Sequence, residues 1–271
     1  MLLARFATAA LLLAVFLAAN FLLARPYFAA LMVIVIAGGA YEWARLCRLD
    51  GTAALAYSAL LGGVLAALLF ALPASVGAHD AANAVLSAAT LFWVIIAPVW
   101  LWRGVRAQPR ALLAAAGLIV LVPAGLAAVV LSPTGLLALL ALVWLADTAA
   151  YFSGRAFGRR KLAPTISPGK TWAGVWGAVL TTSAYAIICA VSVPALGSRI
   201  NGLAWAPYVA GAALLCCLSV VGDLFESALK RQAGVKDSGT LLPGHGGILD
   251  RIDSATATLP VGALLLHWIL A

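Results

Sequence analysis

Charge is what this chain has least of. Only 10% of its 271 residues are Asp, Glu, Lys or Arg, and nine of those are acidic. Against that, 65% are hydrophobic and the mean hydropathy is +1.07. Such values exclude a soluble globular domain and predict an integral membrane protein. Cysteine is nearly as scarce. Cys47, Cys189, Cys216 and Cys217 show no metal-ligand spacing and read as small buried hydrophobes. The chain also lacks the internal repeat of inverted-repeat transporters. His79 and His267 have no chemical company and carry no assigned role.

What is there is a series of apolar runs. A span needs roughly 20 mainly apolar residues, and nine runs qualify, at about 6–24, 27–44, 53–73, 85–102, 111–131, 134–152, 173–195, 206–223 and 255–270. The first run is read as an uncleaved span rather than a signal peptide, being long for that role. With nine spans, fifteen of the seventeen Lys and Arg fall on one side, leaving Arg25 and Arg199 on the other. The positive-inside rule then puts the N-terminus in the cytoplasm and the C-terminus outside. Under this reading the net charge of +8 reports orientation and no nucleic-acid partner. The expected fold is all-α and polytopic, with N-terminal helices over 1–131 and a catalytic region over 132–271. The latter's cytoplasmic loops, 153–172 and 224–254, hold most of the polar residues. Paired glycines such as Gly38-Gly39 and Gly62-Gly63, and Gly174-x-x-Gly177, read as close helix packing.

Two stretches could carry chemistry. In 145–174, Asp147, Tyr151 and Arg155 share a helical face, followed by the cationic run Arg159, Arg160, Lys161 and by Lys170 in Ser-Pro-Gly-Lys-Thr. A nucleotide P-loop would need glycine where Pro164 stands, and no strand is expected before it, so that motif is rejected. Lys170 remains a candidate phosphate contact. In 222–253, Asp223, Glu226, Ser227, Lys230 and Arg231 fall on one helical face and Leu224, Phe225, Ala228 and Leu229 on the other. This predicts a span continuing as an amphipathic interfacial helix, with Glu226 and Lys230 as an i,i+4 surface pair. Asp223 at a membrane boundary is costly and therefore a functional candidate. Asp250 and Asp253 stand one turn apart at the mouth of the last span. Carboxylates without a His-Cys set favour Mg²⁺ over zinc. Gly246 and Gly247 free the backbone to meet an anion, while His245 alone is a weak catalyst candidate. Carboxylates for a metal, cations for phosphates and a glycine-rich loop on one face suit phosphoryl or nucleotidyl transfer.

The run Ser227-x-Leu229-Lys230-Arg231, then Lys236-Asp237-x-Gly239, Leu242-Pro243-x-His245-Gly246-Gly247-Ile248-x-Asp250-Arg251-Ile252-Asp253 closely resembles the signature of the phosphatidate cytidylyltransferase family. The 147–174 stretch is similar to that family's second block, with Ala173 where an acidic or amide side chain is usual. Glu42-Trp43 is a weaker echo in the first half. The resemblance implies transfer from CTP to phosphatidate, giving CDP-diacylglycerol and pyrophosphate; the Lys and Arg count puts the site on the cytoplasmic face, and the excess of Arg over Lys with abundant Ala suggests a bacterial source, hence a bacterial inner membrane. The resemblance also implies Mg²⁺, with K⁺ as an assisting ion, and leaves room for a homodimer. Asp223 and Asp250 are then the first metal ligands, with Asp253 and Asp147 behind them. Lys170, Lys230, Arg231, Lys236 and Arg251 would hold phosphates, and Ser227, His245, Gly246 and Gly247 would shape the pocket. Rivals are a CTP-dependent lipid kinase, a CDP-alcohol phosphotransferase, which wants Gly where Ser254 stands, and an ion-coupled transporter.

Overall fold

The computed structural model describes residues 2–71, 78–241 and 246–270. Helices α1 (Leu2–Leu22), α2 (Arg25–Leu46) and α3 (Gly51–Ala71) come first. Next are α4 (Ala78–Leu91) and α5 (Ala97–Trp102), joined by a π-helical turn at Phe92–Ile96, then α6 (Arg110–Val130) and α7 (Pro133–Phe157). A hairpin of β1 (Lys161–Ala163) and β2 (Ser167–Thr171) leads to α8 (Trp172–Ser192), the short α9 (Pro194–Gly197), α10 (Trp205–Ala233) and α11 (Leu249–Leu270). Helices dominate because hydrocarbon offers backbone N–H and C=O groups no other partner. Their starts are written in sequence. Pro26, Pro98 and Pro133 open α2, α5 and α7, where a missing N–H costs nothing. Ser132 and Thr171 cap α7 and α8 by accepting from Gly135 N and Gly174 N, at 3.1 and 3.2 Å.

Among the described residues eight helices are long and apolar enough to cross a membrane, so the chain is a multi-pass membrane protein. The remaining expected run, the first, at about 6–24, falls on α1 (Leu2–Leu22), a helix of 21 residues. Two expectations need correction. The Ser-Pro-Gly-Lys-Thr segment is itself strand β2, paired antiparallel with β1, so a strand does precede the Lys170 turn. The P-loop remains excluded by Pro164. Moreover, α10 does not turn into an interfacial helix. It runs unbroken for 29 residues, and Leu224, Phe225, Ala228 and Leu229 are buried inside the protein.

The reason is an aromatic cluster. Phe225 stacks on Trp43 of α2 and meets Phe92, Trp93 and Trp100 edge-on, with centroids 5.3–6.3 Å apart. Trp43 is itself fixed by its Nε1, which donates to Leu113 O at 2.9 Å. Lipid tails are as apolar as these rings, so close packing, rather than escape from water, selects this arrangement. Small residues bring α7 and α8 together: a side chain at Gly174 would meet Ala150 O at 2.8 Å, and one at Gly177 would strike Ser153. Gly62 likewise packs on Ala37, whereas Gly63 faces open space and has no packing reason. At the far end, Asn20 donates to Pro133 O and Arg25 to Leu131 O, tying the α1–α2 turn to the α6–α7 turn. All four cysteines are free. Cys47, just beyond α2, is buried, and desolvation pushes its thiol up to about 11, which keeps it protonated and inert.

Candidate active site

The C-terminal ends of α2, α7 and α10, the hairpin and the N-terminal end of α11 meet at one end of the bundle. Two groups of carboxylates form there, and they differ in how their oxygens are used.

The first group is Asp147 on α7, Asp223 on α10 and Asp253 on α11, with Lys170 from β2. Lys170 Nζ lies 2.7 Å from Asp223 Oδ2, and Ser227 Oγ donates to Asp223 Oδ1 at 3.2 Å. Asp253 Oδ1 accepts from Ser254 N at 2.7 Å. Asp147 and Asp253 are both within electrostatic reach of Asp223 and Lys170. The backbones allow this because Gly222 has no side chain: a Cβ there would meet Asp253 O at 2.6 Å. So α11 crosses α10 in contact at Gly222, and the next residue, Asp223, comes beside Asp253. Three carboxylates face a single ammonium, which leaves the group net negative.

The second group is Glu42, Glu226 and Asp250 with Lys230. Lys230 Nζ sits 2.5 Å from Glu226 Oε2 and 2.6 Å from Asp250 Oδ1. The opposite oxygen, Asp250 Oδ2, accepts from Gly247 N at 2.8 Å and Ser238 N at 3.0 Å. Glu42 accepts from Ile248 N at 3.0 Å and Leu249 N at 2.9 Å. Ser238 Oγ stands 2.9 Å from Glu42 and 3.1 Å from Asp250, with one proton to donate. Gly246 has φ +79°, and a Cβ there would meet Asp250 Oδ2 at 2.6 Å. Both glycines of the signature therefore make way for carboxylates of the protein itself.

The expected site residues are distributed unevenly over this geometry. Asp147, Asp223, Asp253, Lys170 and Ser227 are brought together. Asp250 and Lys230 belong to the second group, and both oxygens of Asp250 already have protein partners. Arg231 donates from Nε to Ile166 O at 3.3 Å and from Nη1 to Val235 O at 3.4 Å, bracing the hairpin against the end of α10. Lys236 and Arg251 are exposed and make no ion pair among the described residues. Gly246 and Gly247 line the turn before α11, while His245 lies outside the described residues. Glu226 is not a surface residue: it is 3% exposed, and its Oε1 has no hydrogen-bond partner. Sequence reasoning gave Ser238 no role, read Glu226 only as a surface partner of Lys230, and took Glu42 only as a weak echo of the family. The signal for Glu42 was an acid placed at the end of an apolar run in a chain with only nine acids.

Among the described residues no three His, Cys, Asp or Glu stand close enough to enclose a metal by themselves. The chemistry of the first group nevertheless suits a hard divalent cation: the donors are carboxylate oxygens and the excess charge is negative. Magnesium usually takes one or two carboxylates and completes its shell with water and substrate phosphates.

A family model described as the cytidylyltransferase family matches residues 3–269. The chain is 42% identical to the phosphatidate cytidylyltransferase of Pseudomonas aeruginosa, over 97% of this chain and 96% of that one. It is 52% identical to the enzyme of the same name from Haemophilus influenzae across 122 residues, covering 44% of this chain and 41% of the relative. The corresponding figures for Thermotoga maritima are 43% and 122 residues, 45% of each chain. With the match running nearly end to end, this chain belongs to the cytidylyltransferase family.

Proposed function

We propose that the chain transfers a cytidylyl group from CTP to phosphatidate, forming CDP-diacylglycerol and pyrophosphate. The observation that carries this is the first carboxylate group with its lysine, set at the end of a membrane-embedded bundle and built from the same stretches that match the family. An oxygen of the lipid phosphate attacks the α-phosphorus of CTP. A new P–O bond forms there as the bond to the β-phosphate oxygen breaks, and pyrophosphate leaves with that electron pair. The attacking phosphate is already ionised at neutral pH, so no strong general base is required.

Both reactants are anions, and their repulsion must be offset at close range. Lys170 supplies a fixed positive charge beside Asp223. Lys236 and Arg251 are exposed nearby, where they would meet phosphate oxygens. Mg²⁺ held by Asp223 and Asp253, with Asp147 adjacent, would neutralise the triphosphate and stabilise the charge developing on the leaving oxygens. Lys170, 2.7 Å from Asp223, would keep its positive charge close to the phosphates, with Asp223 available to such an ion. The excess of Lys and Arg at this end supports a cytoplasmic orientation, where CTP is available, and hence an inner-membrane location.

The test is purified protein in detergent with CTP, phosphatidate and Mg²⁺, read by lipid and nucleotide product analysis. CDP-diacylglycerol with equimolar pyrophosphate is expected. Release of CDP with a newly phosphorylated lipid would instead establish the kinase reading.

A further inference from the structure

Glu42 lies far from the signature in sequence, on a helix with no other charged residue in contact with the site. Its carboxylate is 2% exposed and accepts three hydrogen bonds, from Ile248 N, Leu249 N and Ser238 Oγ. The two N–H groups are among the donors that the first turn of α11 cannot satisfy within its own helix. A carboxylate there also meets the positive end of the helix dipole. Among the described residues no cation pairs with Glu42, since Lys230 is engaged by Glu226 and Asp250.

The surroundings are shaped to receive this contact. One turn before Glu42, a side chain at Gly38 would meet Ile248 Cδ1 at 2.6 Å, and one at Gly39 would meet Leu249 Cδ2 at 3.3 Å. A Cβ at Gly239 or Gly247 would strike the Glu42 carboxylate itself. Thus Gly38-Gly39-x-x-Glu42 forms a socket on α2, and Gly247-Ile248-Leu249 is the piece that seats in it. Trp43, held by Leu113 and stacked on Phe225, aims the socket.

A buried carboxylate held by neutral donors is a costly way to join two helices, and an apolar contact would do that more cheaply. What a carboxylate adds is register: it accepts from two consecutive N–H groups and so permits one placement of the turn. One residue beyond Leu249 is Asp250, which must meet Lys230, and one turn beyond is Asp253, which must lie beside Asp223. We propose that Glu42 is a positioning residue for the transfer reaction, fixing the start of α11 so that Asp253 faces Asp223 and Lys170. It touches no substrate. The inference rests on the proposed function for its kinetic consequence, but its geometric consequence stands apart from it.

The experiment is Glu42→Gln in the full chain, with Ser238→Ala as a milder second variant that removes one donor of the same contact. Gln keeps the volume but presents an NH₂ to a backbone donor. The expected result is faster amide hydrogen exchange at 247–250, a kcat lowered on the order of 100-fold, as for small misplacements of reacting groups, a higher Mg²⁺ requirement, and a KM for CTP changed less than about threefold. Ser238→Ala should move the same quantities in the same direction and by less. A folded Glu42→Gln with wild-type exchange overturns the proposal, as does a variant of reduced melting temperature whose surviving protein keeps wild-type kcat and Mg²⁺ dependence. If Glu42→Gln does not fold, wild-type values for Ser238→Ala are the overturning result. A wild-type chain that makes no CDP-diacylglycerol would instead sink the proposed reaction, and the exchange measurement would still decide the role of Glu42.

Discussion

The two carboxylate groups each set three acids against one lysine and lie at the same end of the bundle, yet they are finished differently. Around Glu42 and Asp250, every oxygen has a backbone N–H, a hydroxyl or an ammonium within hydrogen-bond distance, and only Glu226 Oε1, sealed in the interior, is left over. Around Asp223 and Asp253 the ratio of one lysine to three acids is the same, but among the described residues Asp147 and the second oxygen of Asp253 have no hydrogen-bond or ion-pair partner, and Asp147 is exposed. A satisfied group can hold a loop but has little left to offer a ligand. A group whose oxygens are open and accessible is completed by what binds to it. The contrast separates a latch from a reaction centre more clearly than residue type could.

Substitutions can break that contrast. Asp253→Asn should have the largest effect on turnover, a fall of about 10³-fold, in line with losing one electrostatic stabiliser of a transition state, with an unchanged melting temperature in detergent. A wild-type rate would remove Asp253 from the centre. Asp250→Asn should act first on the fold. Its side chain is 7% exposed and pairs with a half-buried Lys230, and removing one partner of such a pair costs about 3–5 kcal/mol. The expected outcome is a clear drop in melting temperature alongside lost activity; lost activity at full stability would move Asp250 into the centre. The smallest effect is expected for Lys236→Ala, an exposed cation at the rim. A severalfold rise in KM for CTP, steeper at low salt, with kcat kept, is the result to look for in kinetics at two ionic strengths.

Much of the fold was legible because lipid imposes strict rules. Apolar runs of span length, proline at helix starts and Ser132 or Thr171 at caps predict helices whatever their neighbours. The signature stretch likewise announced phosphate chemistry. What could not be read was the role of each acid. A helical wheel placed Glu226 and Lys230 on an outer face, because from sequence Phe225 looks as ready to meet lipid as to meet protein. Only the cluster of Trp43, Phe92, Trp93 and Trp100 shows that α10 is enclosed on both faces at that depth. Asp250 and Asp253 look equivalent in sequence, three residues apart on one helix. They differ in space because the turn before α11 folds back onto Asp250, whereas Gly222 carries Asp253 to Asp223.

By itself, then, the sequence determined that this chain is a helical membrane protein of the cytidylyltransferase type, with acids and bases gathered at one end. Local physics suffices there, since hydropathy and turn residues act over a few positions. The tertiary structure alone decided which carboxylates serve the turn and which remain open. That choice depends on contacts between residues up to 207 positions apart, such as Glu42 with Leu249, and no local pattern encodes which oxygen a distant N–H will reach.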